Sequence, residues 1–156
     1  MKLARFAPLL GLFVSTVASA GDSLSHFDFT FFGTNAGSYT MVSCDYAQDL
    51  AGAWLTKFGA TDVDLYCTGG IQPTGLISPL TIRATYRGPD LTRAVRKVAM
   101  KFESGAFDGD SNCFFDTSLM RSMLVEFPNV TANRKQDGCF EPRSRYRYEL
   151  IATLPN

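Results

Sequence analysis

The sequence has a single histidine and no surplus of either charge, with fifteen Lys and Arg against fifteen Asp and Glu in 156 residues. Balanced charge excludes nucleic acid as the main ligand, because that binding rests on surplus cations that neutralise phosphates. With only His26 available, any Ser-His-Asp or Cys-His mechanism has to pass through it. His26 starts an alternating segment on its polar side and reads as a solvated strand end. There is no Gly-x-Ser-x-Gly elbow, no phosphate-binding glycine loop with lysine and no His-Glu-x-x-His. The gaps of 23, 46 and 26 residues between the four cysteines contain no Cys-x-x-Cys and supply no close pair of zinc ligands. After the N-terminus no stretch reaches the ~18 apolar residues of a membrane span. No catalytic residue, metal ligand or cofactor is assigned.

What is present begins with an address. Lys2 and Arg5 precede an apolar run over residues 6–17, and Ala18-Ser19-Ala20 supplies small residues at a cleavage position. Residues 1–20 are expected to be a secretory signal peptide and 21–156 a single secreted or periplasmic domain. The 46% hydrophobic and 13% aromatic content is enough for a packed core in a chain of this size.

A shift of 69 residues superimposes two helix-like segments, 43–58 and 112–127. Cys113, Leu119, Met120, Met123, Leu124 and Phe127 match Cys44, Leu50, Ala51, Trp54, Leu55 and Phe58, with Asp116 in place of Ala47 as the one mismatch. Both show the spacing of a helix face that docks on a core. Ser43 and Asn112 are the expected N-caps, and Gly59 and Pro128 the stops. Period-two alternation flanks both segments: Phe27, Phe29 and Phe31 before the first, and Val98, Met100 and Phe102 before the second. After them come Val63, Leu65 and Cys67, then Leu80, Ile82, Ala84 and Tyr86 in the first half, and Tyr146, Tyr148, Leu150, Ala152 and Leu154 in the second. We read two βαββ repeats related by a pseudo-two-fold axis, about 25–88 and 94–155, joined at Gly88-Pro89-Asp90. The fold class is α+β, mostly antiparallel sheet with two helices on one face and ferredoxin-like in strand order, as one sheet of about eight strands or two smaller ones.

An even cysteine count behind a signal peptide implies disulfides. In a strand–helix–strand crossover the two strands run parallel, so the end of the second lies beside the start of the helix. Cys44 and Cys113 open the helices, while Cys67 and Cys139 end the strands that follow. The expected pairs are Cys44–Cys67 and Cys113–Cys139.

Other motifs in the chain are weaker. Asp108-Gly109-Asp110-Ser111-Asn112 starts like a calcium loop, but Cys113 and Leu119 stand where that loop needs Gly and Glu. Asn129-Val130-Thr131 fits the glycosylation triplet, relevant only in a eukaryotic host. The Gly33 to Gly37 stretch and Cys67-Thr68-Gly69-Gly70 read as loops and turns.

The charge balance conceals an asymmetry. Residues 21–82 hold six acids and one base, whereas residues 83–156 hold twelve bases and nine acids. Arg83 and Arg87, Lys97 and Lys101, and Arg145 and Arg147 each point outward on their strands, so neighbouring strands would line up six cations on one open face. The expected function is therefore non-enzymatic: an accessory or binding protein of the cell envelope. Its exposed polar sheet face would take a protein, an envelope component or an anionic ligand. Two alternatives accompany it, a small secreted hydrolase using Asp62 and Asp64 in a cleft between the repeats, and a homodimer pairing the acidic half with the basic half.

Overall fold

Alternation in Leu24–Phe31 produces strand β1, whose Phe27, Phe29 and Phe31 are buried while the residues between them face solvent. This is the first element in a computed structural model that describes residues 24–32, 34–35, 38–39, 42–71, 77–103, 110–139 and 145–156. The expected signal peptide lies outside these residues. A short hairpin follows, β2 (Thr34–Asn35) with β3 (Ser38–Tyr39), in the stretch read as a loop. Then come α1 (Cys44–Lys57), β4 (Thr61–Ile71), β5 (Ile77–Arg87), β6 (Val95–Glu103), α2 (Asp110–Glu126), β7 (Val130–Gly138) and β8 (Arg145–Pro155).

The fold is α+β, with two three-stranded antiparallel sheets in the orders β1-β5-β4 and β6-β8-β7. Each half therefore has the sequence strand, helix, strand, strand, with the last strand inserted between the first two. That first–third–second order is shared with the opening strands of the ferredoxin-like arrangement. Because β5 is antiparallel to both neighbours, β1 and β4 run parallel and α1 is the crossover between them. The same holds for β6, α2 and β7 around β8. Of the two sheet arrangements open to the sequence, the chain adopts two smaller sheets. Register shifts interrupt two of the four edge strands, β4 at Thr61/Asp64 and Thr68/Gly70 and β7 at Ala132/Arg134.

Local chemistry sets the helix ends. The Ser43 hydroxyl accepts from the Tyr46 N–H at 3.3 Å, as an N-cap does. At the other end the Gly59 N–H donates to Thr56 O and the Ala60 N–H to Leu55 O, each at 3.0 Å, the paired bonds of a Schellman motif. Gly59 has φ 93°, and a Cβ there would lie 2.7 Å from Leu154 Cδ2. Helix α2 begins at Asp110, so Asn112 lies inside its first turn and is not the cap; Asp and Ser are well tolerated in a first turn and carry the helix two residues further back. Thr68, Gly69 and Gly70 also depart from expectation. They belong to β4 at its second irregularity, and Gly69 and Gly70 have φ 83° and 71°.

Packing joins the halves. Phe115 of α2 meets Phe29 and Phe31 of β1 edge-on at 5.8 and 5.2 Å, while Trp54 and Phe58 at the end of α1 meet Phe102 of β6 at 5.6 and 5.8 Å. Each helix thus packs on its own sheet and on the sheet of the other half, and the buried residues of both halves form one cluster. Such ring pairs each contribute roughly 0.5–1.5 kcal/mol beyond area burial.

The disulfides are Cys44–Cys67 and Cys113–Cys139, each with a Cα–Cα distance of 5.6 Å. They are the expected pairs, although β4 continues past Cys67 to Ile71 and Cys139 lies just beyond β7. Replacing Cys113 and Cys139 together by alanine is expected to lower the unfolding free energy by roughly 3 kcal/mol, read from the urea midpoint at unchanged slope. Gly59→Ala is expected to cost about 1–2 kcal/mol by the same measurement, since alanine strains in the left-handed region and meets Leu154.

Candidate functional site

The six expected binding cations do not share a face. Arg83 and Arg87 lie on β5 in the first sheet, whereas Lys97 and Lys101 on β6 and Arg145 and Arg147 on β8 lie in the second. The physical reason is that β5 and β6, joined by the connection over residues 88–94, do not pair with each other: β5 is held between β1 and β4, and β6 pairs with β8. Asp90 pins that connection. Its carboxylate accepts from the Thr92 backbone N–H at 3.1 Å and from the Thr92 hydroxyl, and pairs with Arg93 at 3.0 Å. The bonds from Thr92 chiefly hold the Asp90 carboxyl below its usual range.

On the first sheet the cations meet acids. Arg83 pairs with Asp28 at 3.4 Å, directly opposite it in register, and Arg87 with Asp62 at 3.0 Å. Asp64 and Tyr66 share the same outer face, and the His26 Nδ1 lies 3.4 Å from the Thr85 hydroxyl there. Asp62 has φ 51° at the register shift of β4. Both Asp62 and Asp64 are exposed on this open face, so they are not the carboxylates of a cleft.

The second sheet keeps its surplus. Rows across it read Lys101, Glu149, Arg134 and Glu103, Arg147, Gln136. Lys97 and Arg145 extend the same outer face, giving five cations to two carboxylates. Lys101 pairs with Glu103 at 2.6 Å and Arg147 with Glu149 at 2.5 Å. A hydrogen bond from Lys101, with help from the charges of Lys101 and Arg147, holds the Glu103 carboxyl below its usual range. Among the described residues Lys97, Arg134 and Arg145 have no carboxylate partner. Sequence reasoning missed Arg134 because the shift at Ala132/Arg134 turns it to the face opposite the one that strict alternation predicts.

A cleft of about 380 Å³ does open at the junction of the halves. One wall is the stripe Tyr46, Leu50, Trp54 and Lys57 of α1, and the other is Lys101, Phe102 and Glu103 of β6. Asp116 of α2 and Tyr146 of β8 close its end. The Lys57 ammonium sits 5.0 Å from the centre of the Phe102 ring, a cation–π contact. Asp116, only 1% exposed, accepts from the Tyr46 hydroxyl at 2.9 Å. Its signal in the sequence was the mismatch with Ala47: a carboxylate on a helix face that otherwise packs against a core.

The remaining motifs have structural roles or lie elsewhere. Asp110, Ser111 and Asn112 form the first turn of α2, while 108 and 109 are outside the described residues. Among the described residues no group of three or more His, Cys, Asp or Glu is placed to hold a metal ion. The Asn129 carboxamide donates to Phe58 O at 3.2 Å and Thr153 O at 3.1 Å, so it joins the end of α1 to β8. No helix of the described residues is long and apolar enough to cross a membrane.

Comparison with known proteins finds no relative: no family model matches the chain, and no curated protein or solved structure matches it significantly. Tyr46→Phe is expected to cost roughly 1–3 kcal/mol in urea unfolding, since it withdraws a donor from a buried carboxylate and leaves the ring packing in place.

Proposed function

We propose that the chain is a secreted or periplasmic, disulfide-stabilised accessory domain that holds an anionic ligand, an envelope component or a partner protein on the outer face of its second sheet. In this reading residues 21–156 form a single domain that arose by duplication of a unit spanning about 25–88 and 94–155. The matching element order, sheet order and disulfide placement in the two halves support that origin.

One observation carries the binding role: five cations share the outer face of one sheet with two carboxylates. Exposed ion pairs contribute little to stability, about 0–1 kcal/mol, so such a concentration of like charge is not explained by folding. It raises the local potential for anions and accelerates their encounter. Hydrolysis in the cleft has less support. The carboxylates there are Asp116 and Glu103, and each already engages a neighbouring side chain, Tyr46 and Lys101 respectively.

Titration with sodium polyphosphate, followed by calorimetry at low and moderate salt, tests the face. Binding that weakens with salt is expected, together with a loss of roughly tenfold or more in the Lys97→Glu/Arg134→Glu/Arg145→Glu variant. Arg83→Glu/Arg87→Glu, on the other sheet, is expected to leave it unchanged. Equal affinity in the first variant would refute the assignment.

A further inference from the structure

Four strands form the edges of the two sheets, and they are not equivalent. β4 and β7 are broken by register shifts, and Gln48 of α1 donates to the Leu65 carbonyl of β4 at 3.1 Å. β1 is regular, but its inward Phe27, Phe29 and Phe31 are fully covered. β6 alone combines an unbroken register, Val95 to Glu103 against β8, with an incompletely covered inner side. Its inward Val98 and Met100 remain half-buried, and only Phe102 is closed over by Trp54 and Phe58. The cleft along α1 adjoins this edge. Among the described residues β6 pairs with β8 only.

We infer that the β6 edge and the groove between it and α1 bind an extended acidic segment of a partner protein as an added strand. An exposed edge offers main-chain hydrogen bonds to any extended chain, and the side chains of the added strand alternate between groove and solvent. Those on the inward side lie beside the half-buried Val98 and Met100 and, in the groove, meet Phe102 and the Trp54 side of α1, which calls for apolar residues. Those on the other side lie beside Lys97 and Lys101, which calls for acids. Lys57 on the opposite rim adds a third cation. The occupant is thus an alternating apolar and acidic segment. A second copy of β6 is a poorer partner, because Arg96, Lys97 and Lys101 against one carboxylate, Glu103, would bring cations opposite cations. The inference shares Lys97 and Lys101 with the anion-binding face but needs neither Arg134 nor Arg145.

The probe is a capped fluorescent peptide of about seven residues alternating glutamate with valine, titrated by anisotropy. Saturable binding is expected, with its valine–lysine counterpart silent. Methylating alternate backbone nitrogens is expected to abolish binding in one phase and spare it in the other, since an added strand uses only one of its edges. Lys97→Glu/Lys101→Glu is expected to weaken it roughly tenfold, while Arg134→Glu/Arg145→Glu leaves it intact and so separates this site from the sheet face. The methylated peptides are tested on the unaltered protein, so the outcome does not hinge on the folding of a variant. The proposal is overturned by absence of binding at about 1 mM peptide, by equal binding of both methylated forms, or by a dimer in sedimentation that Lys97→Glu/Lys101→Glu dissociates, which would give the edge to a second copy.

Discussion

A three-stranded sheet with one apolar face cannot bury that face under a single helix of its own, and the architecture follows from this shortage. Both helices serve both sheets. Phe115 of α2 reaches back to β1, and Trp54 and Phe58 of α1 reach forward to β6. The polar links cross the same boundary, Tyr46 to Asp116 between the helices and Asn129 between the end of α1 and β8. The two helices are enclosed unequally. On α2 the buried positions Cys113, Phe115, Asp116, Thr117, Leu119, Met120 and Met123 sweep roughly 200° at 100° per residue, whereas Ala47, Ala51, Trp54 and Leu55 of α1 sweep roughly 100°. The less enclosed helix is the one beside the cleft.

The disulfides and the aromatic contacts divide the task of holding this arrangement. Each disulfide stays within its half and joins the start of a helix to the strand after it, a junction that the parallel crossover brings together in any case. They restrict the unfolded chain locally and do nothing to hold one half against the other. That falls to the rings of Phe58, Phe102, Phe115 and Phe127 and to a few hydrogen bonds. The two mechanisms are independent, so loss of one disulfide leaves the contact between halves in place.

Features governed by local chemistry were readable from the sequence. The capping serine, the glycine stop, the period-two faces and the cysteine pairing each depend on residues a few positions apart or on the handedness of one crossover. Features governed by strand register were not. Alternation alone reveals neither which strands pair nor the irregularity in β7, and the division into two sheets separates the six cations between two surfaces. The same irregularity in β7 brings Arg134 onto the cationic face. Asp116 was visible only as a mismatch, because its environment is set by Tyr46, seventy positions away.

The split of charge along the chain now has a spatial meaning. The apolar faces of both sheets are turned to helices that touch both, and the polar face of each sheet looks outward. Pairing the acidic half of one copy with the basic half of another is then a heterologous contact. Such contacts close only when the rotation allows and otherwise run on as open chains. The attraction would also be small: on the first sheet Asp28 and Asp62 are already matched by Arg83 and Arg87, while on the second the cations outnumber the acids. A nearly neutral face is a poor complement to a basic one. The basic face and its adjoining edge are therefore better matched to an acidic molecule other than this chain.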